Sequence, residues 1–562
     1  VGSSLSPVTT APSAQGFNLG TVFTTIAESN PTRDALVQGD RRWTYAELLD
    51  RSRKFANLLA AASLGAHVER ADLANHESGQ DHVALALYNS NAYLEGMIGS
   101  YLARCAPFNV NYRYVGDELR YLFNDAKPKV VLFHATLAPT MAEVMVDCPS
   151  VALWLQVADD SGNAVIDGAT DYETALAGAS TSQLAVVPSP DDLYILYTGG
   201  TTGMPKGVLW RQHDIYMNAM GGRKIGTWEE VTSYDDVRHN ATNGFGLKVL
   251  LLPPLMHGAA QWTSFIMMGD GATLVLPTHT NHHDPIDILR TIERERINTF
   301  NTVGDAMVRP LLDELGRASY DTSSLLAVAN GGAPLTAAMK DRMKATLPNV
   351  IISDSVGSSE TGAQMFSNSS KGATQGQFIP GPGAVVISDD LTRLLEAGDP
   401  EIGWLAQSGW VPLGYLGDAA KTARTFPVID GDRFAVPGDR ARLLDSAEIE
   451  LLGRDSVTIN SGGEKIFAEE VEGALAGHPA IADVVVAGRD SERWGSEVVA
   501  VVAFKPGLSA SFDELVEFAA QHIARYKLPK DVILTERVTR SPSGKADYRW
   551  AKEQATTGAS IR

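Results

Sequence analysis

The sequence predicts an α/β protein: a large, multi-layered N-terminal domain of sheets and helices, joined by a hinge to a small α+β C-terminal domain. Three observations carry this. Helical periodicities alternate with short Val/Leu/Ile runs along most of the chain, which is the pattern of layered α/β structure. The length, 562 residues, exceeds what one hydrophobic core serves. At Leu452-Gly453-Arg454-Asp455 a charged turn separates two blocks of different texture, and the second, roughly a hundred residues long, is the size of an independent domain. The expected division is 1–15 as a flexible arm, 16–454 as the large domain and 455–562 as the small mobile one.

The elements follow in order. Val1 to Gln15 is rich in Ser, Thr and Pro, without the basic and apolar regions of a signal peptide. Apolar residues recur at helical spacing from Trp43 to Ala62, and the polar stretch Gly65 to Gln80 reads as a surface insertion. Strands are expected at 83–87, 130–133 and 151–157, then at 249–252, 273–276, 299–303, 325–329 and 350–352. Between them lie helices from Ala259, from 285 to 296 and from 335 to 344. Asp284-Pro285 is a helix start, with Asp as N-cap and Pro at the first helical position. In the small domain helices at 468–475 and 512–523 alternate with strands at 484–486, 498–504 and 532–534.

Composition excludes several classes. Hydrophobic residues are 44% and charged ones 20%, ordinary for a globular protein, and no fixed-period repeat is present. With 47 Lys+Arg against 67 Asp+Glu the net charge is −20, which opposes nucleic-acid binding. Only Cys105 and Cys148 occur, too few for a disulfide framework or a Cys-based zinc site, and a cytoplasmic location is expected. The most apolar region, 248 to 268, is broken by Pro253, Pro254, His257, Gly258, Gln261 and Trp262, so no integral membrane segment is expected.

The chemistry centres on Tyr194-Ile195-Leu196-Tyr197-Thr198-Gly199-Gly200-Thr201-Thr202-Gly203-Met204-Pro205-Lys206-Gly207, an apolar strand entering a loop of Gly, Thr and one Lys. Such a loop can cradle phosphate: glycines admit backbone N–H groups to an anion, hydroxyls donate or ligate a metal, and Lys206 adds positive charge. It is not a Walker A loop, because Pro205 precedes the lysine where Gly is required and Gly207 follows it where Ser or Thr is required. A second oxygen-rich stretch, Asp354-Ser355-Val356-Gly357-Ser358-Ser359-Glu360-Thr361-Gly362, reads as a loop after a strand, with Glu360 free to hold a hard cation or simply to cap a turn. Gly438-Asp439 puts a carboxylate in a turn suited to accept from two hydroxyls. Gly381-Pro382-Gly383 lacks the third glycine of a dinucleotide fingerprint, and His279, His282 and His283 have no helical register that would converge on zinc.

The loop 198–206 closely resembles the nucleotide-binding signature of adenylate-forming enzymes, the superfamily of acyl-CoA synthetases, luciferases and peptide-synthetase adenylation domains. The resemblance covers nearly the whole chain after about the first fifteen residues, with five matches in family order from Tyr197 to Lys545, and is greatest to bacterial synthetases of long-chain or steroid-side-chain acids. It implies Thr198, Gly199, Gly200, Thr201, Thr202, Gly203 and Lys206 at the ATP phosphates, and Gly331, Gly332, Ala333 and Pro334 beside adenine with 354–359. It also implies Thr201 and Glu360 as Mg²⁺ ligands, Asp439 on the ribose, and Arg454 on ribose or phosphate. The remaining implied roles are Asp455 as hinge, His257 and Gly258 at the acyl pocket, Gly462 and Gly463 along the pantetheine arm, and Lys545 bridging carboxylate and α-phosphate. The chain departs from the family at Val356, where Tyr is usual, at Pro437 for Thr, at Asn460 for Lys, and in a hinge residue that often stands one position later, at Ser456.

The expected function is an ATP- and Mg²⁺-dependent ligase that adenylates an apolar carboxylic acid and transfers it to CoA, with no nucleic-acid partner and a homodimer as the suggested assembly. Transfer to a carrier-protein thiol, or a non-enzymatic acyl or nucleotide binder, are the alternatives. The small residues Gly258-Ala259-Ala260 and Gly331-Gly332-Ala333 suggest room for a bulky acid.

Overall fold

The structure is a computed structural model that describes residues 16–198, 205–224, 226–368, 376–461, 464–491, 495–540 and 544–562. The period-2 patterns of the chain sort side chains onto two large sheets with helices on every face. In an eight-stranded sheet, Val83 and Leu85 face one core while Ala84 and Ala86 face another. The first core is shared with one face of a thirteen-stranded sheet, through Leu36, Val249, Leu251, Leu274 and Leu276, and is filled by the helices Leu19–Ser29, Tyr45–Ala61, Asn91–Leu102 and Gly258–Gly269. The outer face of the eight-stranded sheet is covered by Gly116–Ala126 and Ala138–Met145. That of the other is covered by Pro285–Glu295, Gly304–Leu315 and Ala337–Thr346. The result is five layers, helix–sheet–helix–sheet–helix.

Helix starts follow local chemistry. Asp284 accepts from the backbone N–H groups of Ile286 and Asp287 with Pro285 next in the chain, as the sequence predicts. Thr44 and Glu47 form a reciprocal capping box on Tyr45–Ala61. The insertion is tied down by His67 with Asp81 and by Arg104 with Glu69, and the His76 carbonyl accepts from the Gly417 N–H at 2.8 Å.

The ligand-facing end of the large sheet is parallel through Lys248–Leu251, Thr299–Thr302, Ala327–Gly331 and Ile351–Ser358, then turns antiparallel at Gly362–Asn368. Here an expectation is corrected. The Ser-rich stretch 354–358 is not a loop but continues the strand, paired with Ala327–Gly331 as far as Ser355 and with Gly362–Asn368 to Ser358, and only Ser359 to Thr361 turns. Two ladders of backbone hydrogen bonds outweigh the turn preference of its Ser, Asp and Gly residues. The small domain is a five-stranded sheet with the helices Ala468–Ala476, Phe512–Ala520 and Tyr548–Thr557 packed on it. Both cysteines are buried free thiols. Among the described residues no helix is long and apolar enough to cross a membrane, and no cluster of His, Cys, Asp and Glu could hold a metal.

Candidate active site

The strand Leu193–Thr198 and the antiparallel strand Lys206–Arg211 form a hairpin whose register pairs Thr198 with Lys206. Gly199, Gly200, Thr201, Thr202 and Gly203 lie outside the described residues. The hairpin base is anchored by Asn109, whose side chain exchanges hydrogen bonds with Tyr197 N–H and C=O and also donates to the Met256 carbonyl at 2.7 Å. One buried amide thereby sets the phosphate hairpin against the loop that carries His257.

Lys206 Nζ makes an ion pair of 2.9 Å with Asp418. Beside it the Tyr415 hydroxyl donates to Glu360 Oε1 at 2.8 Å, which leaves the second carboxylate oxygen for another partner. The turn bearing Glu360 is held from below by Trp210, whose indole N–H donates to the Ser359 carbonyl at 2.9 Å, and by Ser358 and Thr361, whose hydroxyls lie 3.0 Å apart. A carboxylate oxygen on a rigid turn with hydroxyls beside it is the donor type a hard divalent cation takes.

Next to it, Asn330 donates to Asp354 at 2.9 Å and to the Ala333 carbonyl at 3.0 Å, and Asp354 also pairs with Lys340. Asp354 is therefore committed to the wall, whereas Ser355 and Gly357 are exposed on the strand surface. A Cβ on Gly331 would stand 2.7 Å from Ser355 Oγ, so the backbone passes close to 355 there, and Gly332 has φ +82°, a conformation that side-chain-bearing residues rarely adopt. Val356 packs toward Met365 and Leu405, so its side chain contributes to that core.

Asp439 and Arg454 stand opposite each other on paired strands, with Arg454 Nε 3.2 Å from the Asp439 carboxylate. Asp455 follows directly, its N–H donating to the Gly438 carbonyl at 3.0 Å. Lys545 comes from the small domain into this cleft, delivered by Gly544, whose Cα hydrogen face lies against Val303 of the large domain. The lysine keeps contact with water but is ringed by protein. Burial lowers its pKa, Arg454 lowers it further by repulsion, and the carboxylates of Glu360 and Asp439 pull it back up. Lys545, Glu360, Asp439 and Arg454 thus share one field, although they are separated widely in sequence.

His257 stands at the N-cap position of the helix Gly258–Gly269 without a side-chain capping bond, and among the described residues its buried Nε2 has no hydrogen-bond partner. Burial, with Lys545 and Arg113 adding repulsion, pushes its pKa down to about 4, so it is a neutral ring. The expectation that Gly258 leaves space is corrected: a Cβ there would meet Leu196 at 2.7 Å and Trp262 at 2.8 Å, and Ala260 is core. Gly258 is small because the Trp262 ring lies on it. Gly462 and Gly463 lie outside the described residues. Sequence reading missed Asp418, Tyr415, Lys421, Trp210 and Asn109. They lie outside the stretches singled out in the sequence, and the signal near three of them is a helical spacing of charges, Asp418, Lys421 and Arg424.

With this geometry in view the comparisons are informative. Residues 23–415 match the AMP-binding enzyme family and residues 470–545 match the AMP-binding enzyme C-terminal domain. The chain belongs to the AMP-binding enzyme family. Among its relatives, the medium-chain acyl-CoA ligase Mig of Mycobacterium avium is 54% identical over 96% of this chain and 99% of that one. The 3-oxocholest-4-en-26-oate–CoA ligase of Rhodococcus rhodochrous is 38% identical, covering 93% of each. In fold the chain is similar to the anthranilate CoA ligase AuaEII in complex with anthranoyl-AMP, with a TM-score of 0.79 at 18% identity, covering 97% of this chain and 98% of that one.

Proposed function

We propose that this protein is an AMP-forming acyl-CoA ligase acting on an apolar carboxylic acid of the medium-chain to steroid-side-chain class. The class is that of the relatives just named, a medium-chain and a 3-oxocholestenoate CoA ligase. A substrate carboxylate oxygen attacks the α-phosphorus of ATP, the bond to the β-phosphate oxygen breaks, and pyrophosphate leaves. The CoA thiol then gives up its proton and attacks the acyl carbonyl, and AMP departs as the C–O bond breaks. The observation that carries the reading is the convergence of Lys545 from the small domain with Glu360, Asp439 and Arg454 of the large one.

Each residue has a role its chemistry can perform. Lys206 neutralises the phosphates on the pyrophosphate side, and Lys545 neutralises the repulsion between the incoming carboxylate and the α-phosphate. Asp439 accepts from ribose hydroxyls, and Arg454 orients that carboxylate from the facing strand. The nucleotide base lies along 331–334 and the exposed edge of 355–357, without the aromatic stack that Tyr in place of Val356 would supply. Glu360, and Thr201 from the loop, are the residues to hold Mg²⁺, which when bound withdraws charge from the phosphate oxygens. His257, neutral and lacking a partner on Nε2, borders the acyl end, and Gly462 and Gly463 border the pantetheine arm. Asp455 begins the mobile domain, so the hinge lies at the junction of 16–454 with 455–562. The protein would act in the cytoplasm.

The test is ATP–pyrophosphate exchange across fatty, aromatic and steroid acids, followed by CoA-dependent AMP release. Faster activation of acetate and propionate than of any medium-chain or steroid acid sinks the substrate class. Exchange without CoA-dependent release points to another thiol acceptor, and neither activity sinks the ligase assignment.

A further inference from the structure

We infer that Lys421 is a second phosphate-binding lysine of this site, acting with Lys206 on the β- and γ-phosphates of ATP and on departing pyrophosphate. The inference rests on the ligase reading above and adds a residue that neither the motifs nor the fold family pointed to.

Asp418 brings the two lysines together. One of its oxygens accepts the Lys421 backbone N–H at 2.9 Å and starts the helix Ala419–Thr425, while the other pairs with Lys206 Nζ at 2.9 Å. The first contact sends the Lys421 side chain back over the Tyr415 ring, where its Nζ lies 4.3 Å from the centroid, and Lys206 Nζ lies 6.0 Å from the same ring. The hydroxyl of that ring holds Glu360. A single tyrosine thereby gathers two ammonium groups and the proposed cation-binding carboxylate.

Two ammonium groups and two carboxylates, Asp418 and Glu360, stand around the ring. Among the described residues Asp418 is the carboxylate in ion-pair contact with Lys206, and Lys421 has no ion pair of its own. Burial lowers the Lys421 pKa, and repulsion from Lys206 lowers it further, against a partial pull from Glu360 and Asp418. Two cations held side by side in a half-buried place repel, and a multiply charged anion that entered between them would relieve that repulsion. Triphosphate and pyrophosphate have that charge. AMP does not extend past the α-phosphate and cannot use both lysines. The competing role, a cation–π contact that only stiffens Tyr415, is blind to nucleotide charge.

Binding of ATP, pyrophosphate and AMP to the full-length protein, each with Mg²⁺ and measured by titration calorimetry, separates these roles. Lys421→Ala should weaken ATP and pyrophosphate by about tenfold or more, the size of one lost charge-assisted contact, and leave AMP almost unchanged. Lys421→Arg, which keeps the charge, should recover most of that loss. Equal weakening of ATP and AMP would make Lys421 a structural residue, and unchanged pyrophosphate affinity would remove it from the site; either overturns the inference. Lys206→Ala is the control for the reading beneath it: if that variant also binds pyrophosphate normally the phosphate site is misassigned, whereas a loss in Lys206→Ala alone defeats only the role of Lys421.

Discussion

Lys206 and Lys545 reach one cleft from regions built on different terms. Lys206 sits in a sheet strand, paired along its hairpin from Leu193 to Thr198, braced by Asn109 and neutralised by Asp418. Lys545 belongs to a separate five-stranded unit and enters the cleft through the contact of Gly544 with Val303. The first is fixed by folding of the large domain, and the second by docking of one domain on another. The difference teaches where charge can be permanent and where it must be delivered: on the proposed function, pyrophosphate-side charge would serve from binding onward, while charge at the reacting oxygens would be needed only while the domains are closed.

The sharpest way to break this comparison is Lys545→Ala. Losing one preorganised donor costs about 10²–10³ in rate, so exchange should fall by that order while thioester formation from preformed acyl-adenylate is spared. Because the Lys545 pKa is lowered, wild-type exchange should also decline on the alkaline side sooner than an ordinary lysine dictates. Near-wild-type exchange would return Lys545 to a solvated turn, and loss of both half-reactions together would mean misfolding.

Gly453 tests the docking itself. It has φ +118°, and a Cβ there would lie 2.1 Å from the Glu469 carboxylate of the small domain. Gly453→Ala should cost about 1–3 kcal/mol of backbone strain and push Glu469 away. Exchange should suffer more than thioester formation; a urea midpoint and exchange rate equal to wild type would show that the domain contact tolerates the side chain.

Glu472 sharpens the comparison from the small domain's side. It accepts from the Val486 N–H at 2.8 Å, and burial with the neighbouring Glu469 raises its pKa from 4.5 to about 8. A raised carboxylate contributes stability that is complete below 4.5 and is lost as pH rises to about 8. Glu472→Gln cannot lose that proton, so its unfolding midpoint relative to wild type should climb across this window and match at acid pH. A constant difference at all pH values would deny the buried ionisation.

The smallest effect is expected at His257. With its pKa pushed down to about 4 it stays neutral, so His257→Gln should leave the shape of the exchange profile unchanged between about pH 6 and pH 9, whatever it does to acyl KM. Disappearance of a limb in that range would assign the histidine a proton-transfer role.

Much of this was legible in the chain. Alternation of 83 and 85 against 84 and 86 is a local, period-2 property that assigns faces before any partner is known, and Asp284-Pro285 starts its helix by contacts within three residues. The order of the Gly, Ser and Lys-bearing stretches pointed to the family for the same reason: each is a short backbone device. What only the tertiary structure decided depends on distant partners. The Ser-rich run 354–358 became strand because it pairs with 362–368 along its length and with 327–331 as far as Ser355, and Gly258 proved filled because Trp262 and Leu196 pack over it. Lys206 met Asp418 across 212 residues, and Tyr415 met Glu360 across 55. No periodicity encodes such pairs, since each is set by where two sheets place their strand ends and not by the residues between them.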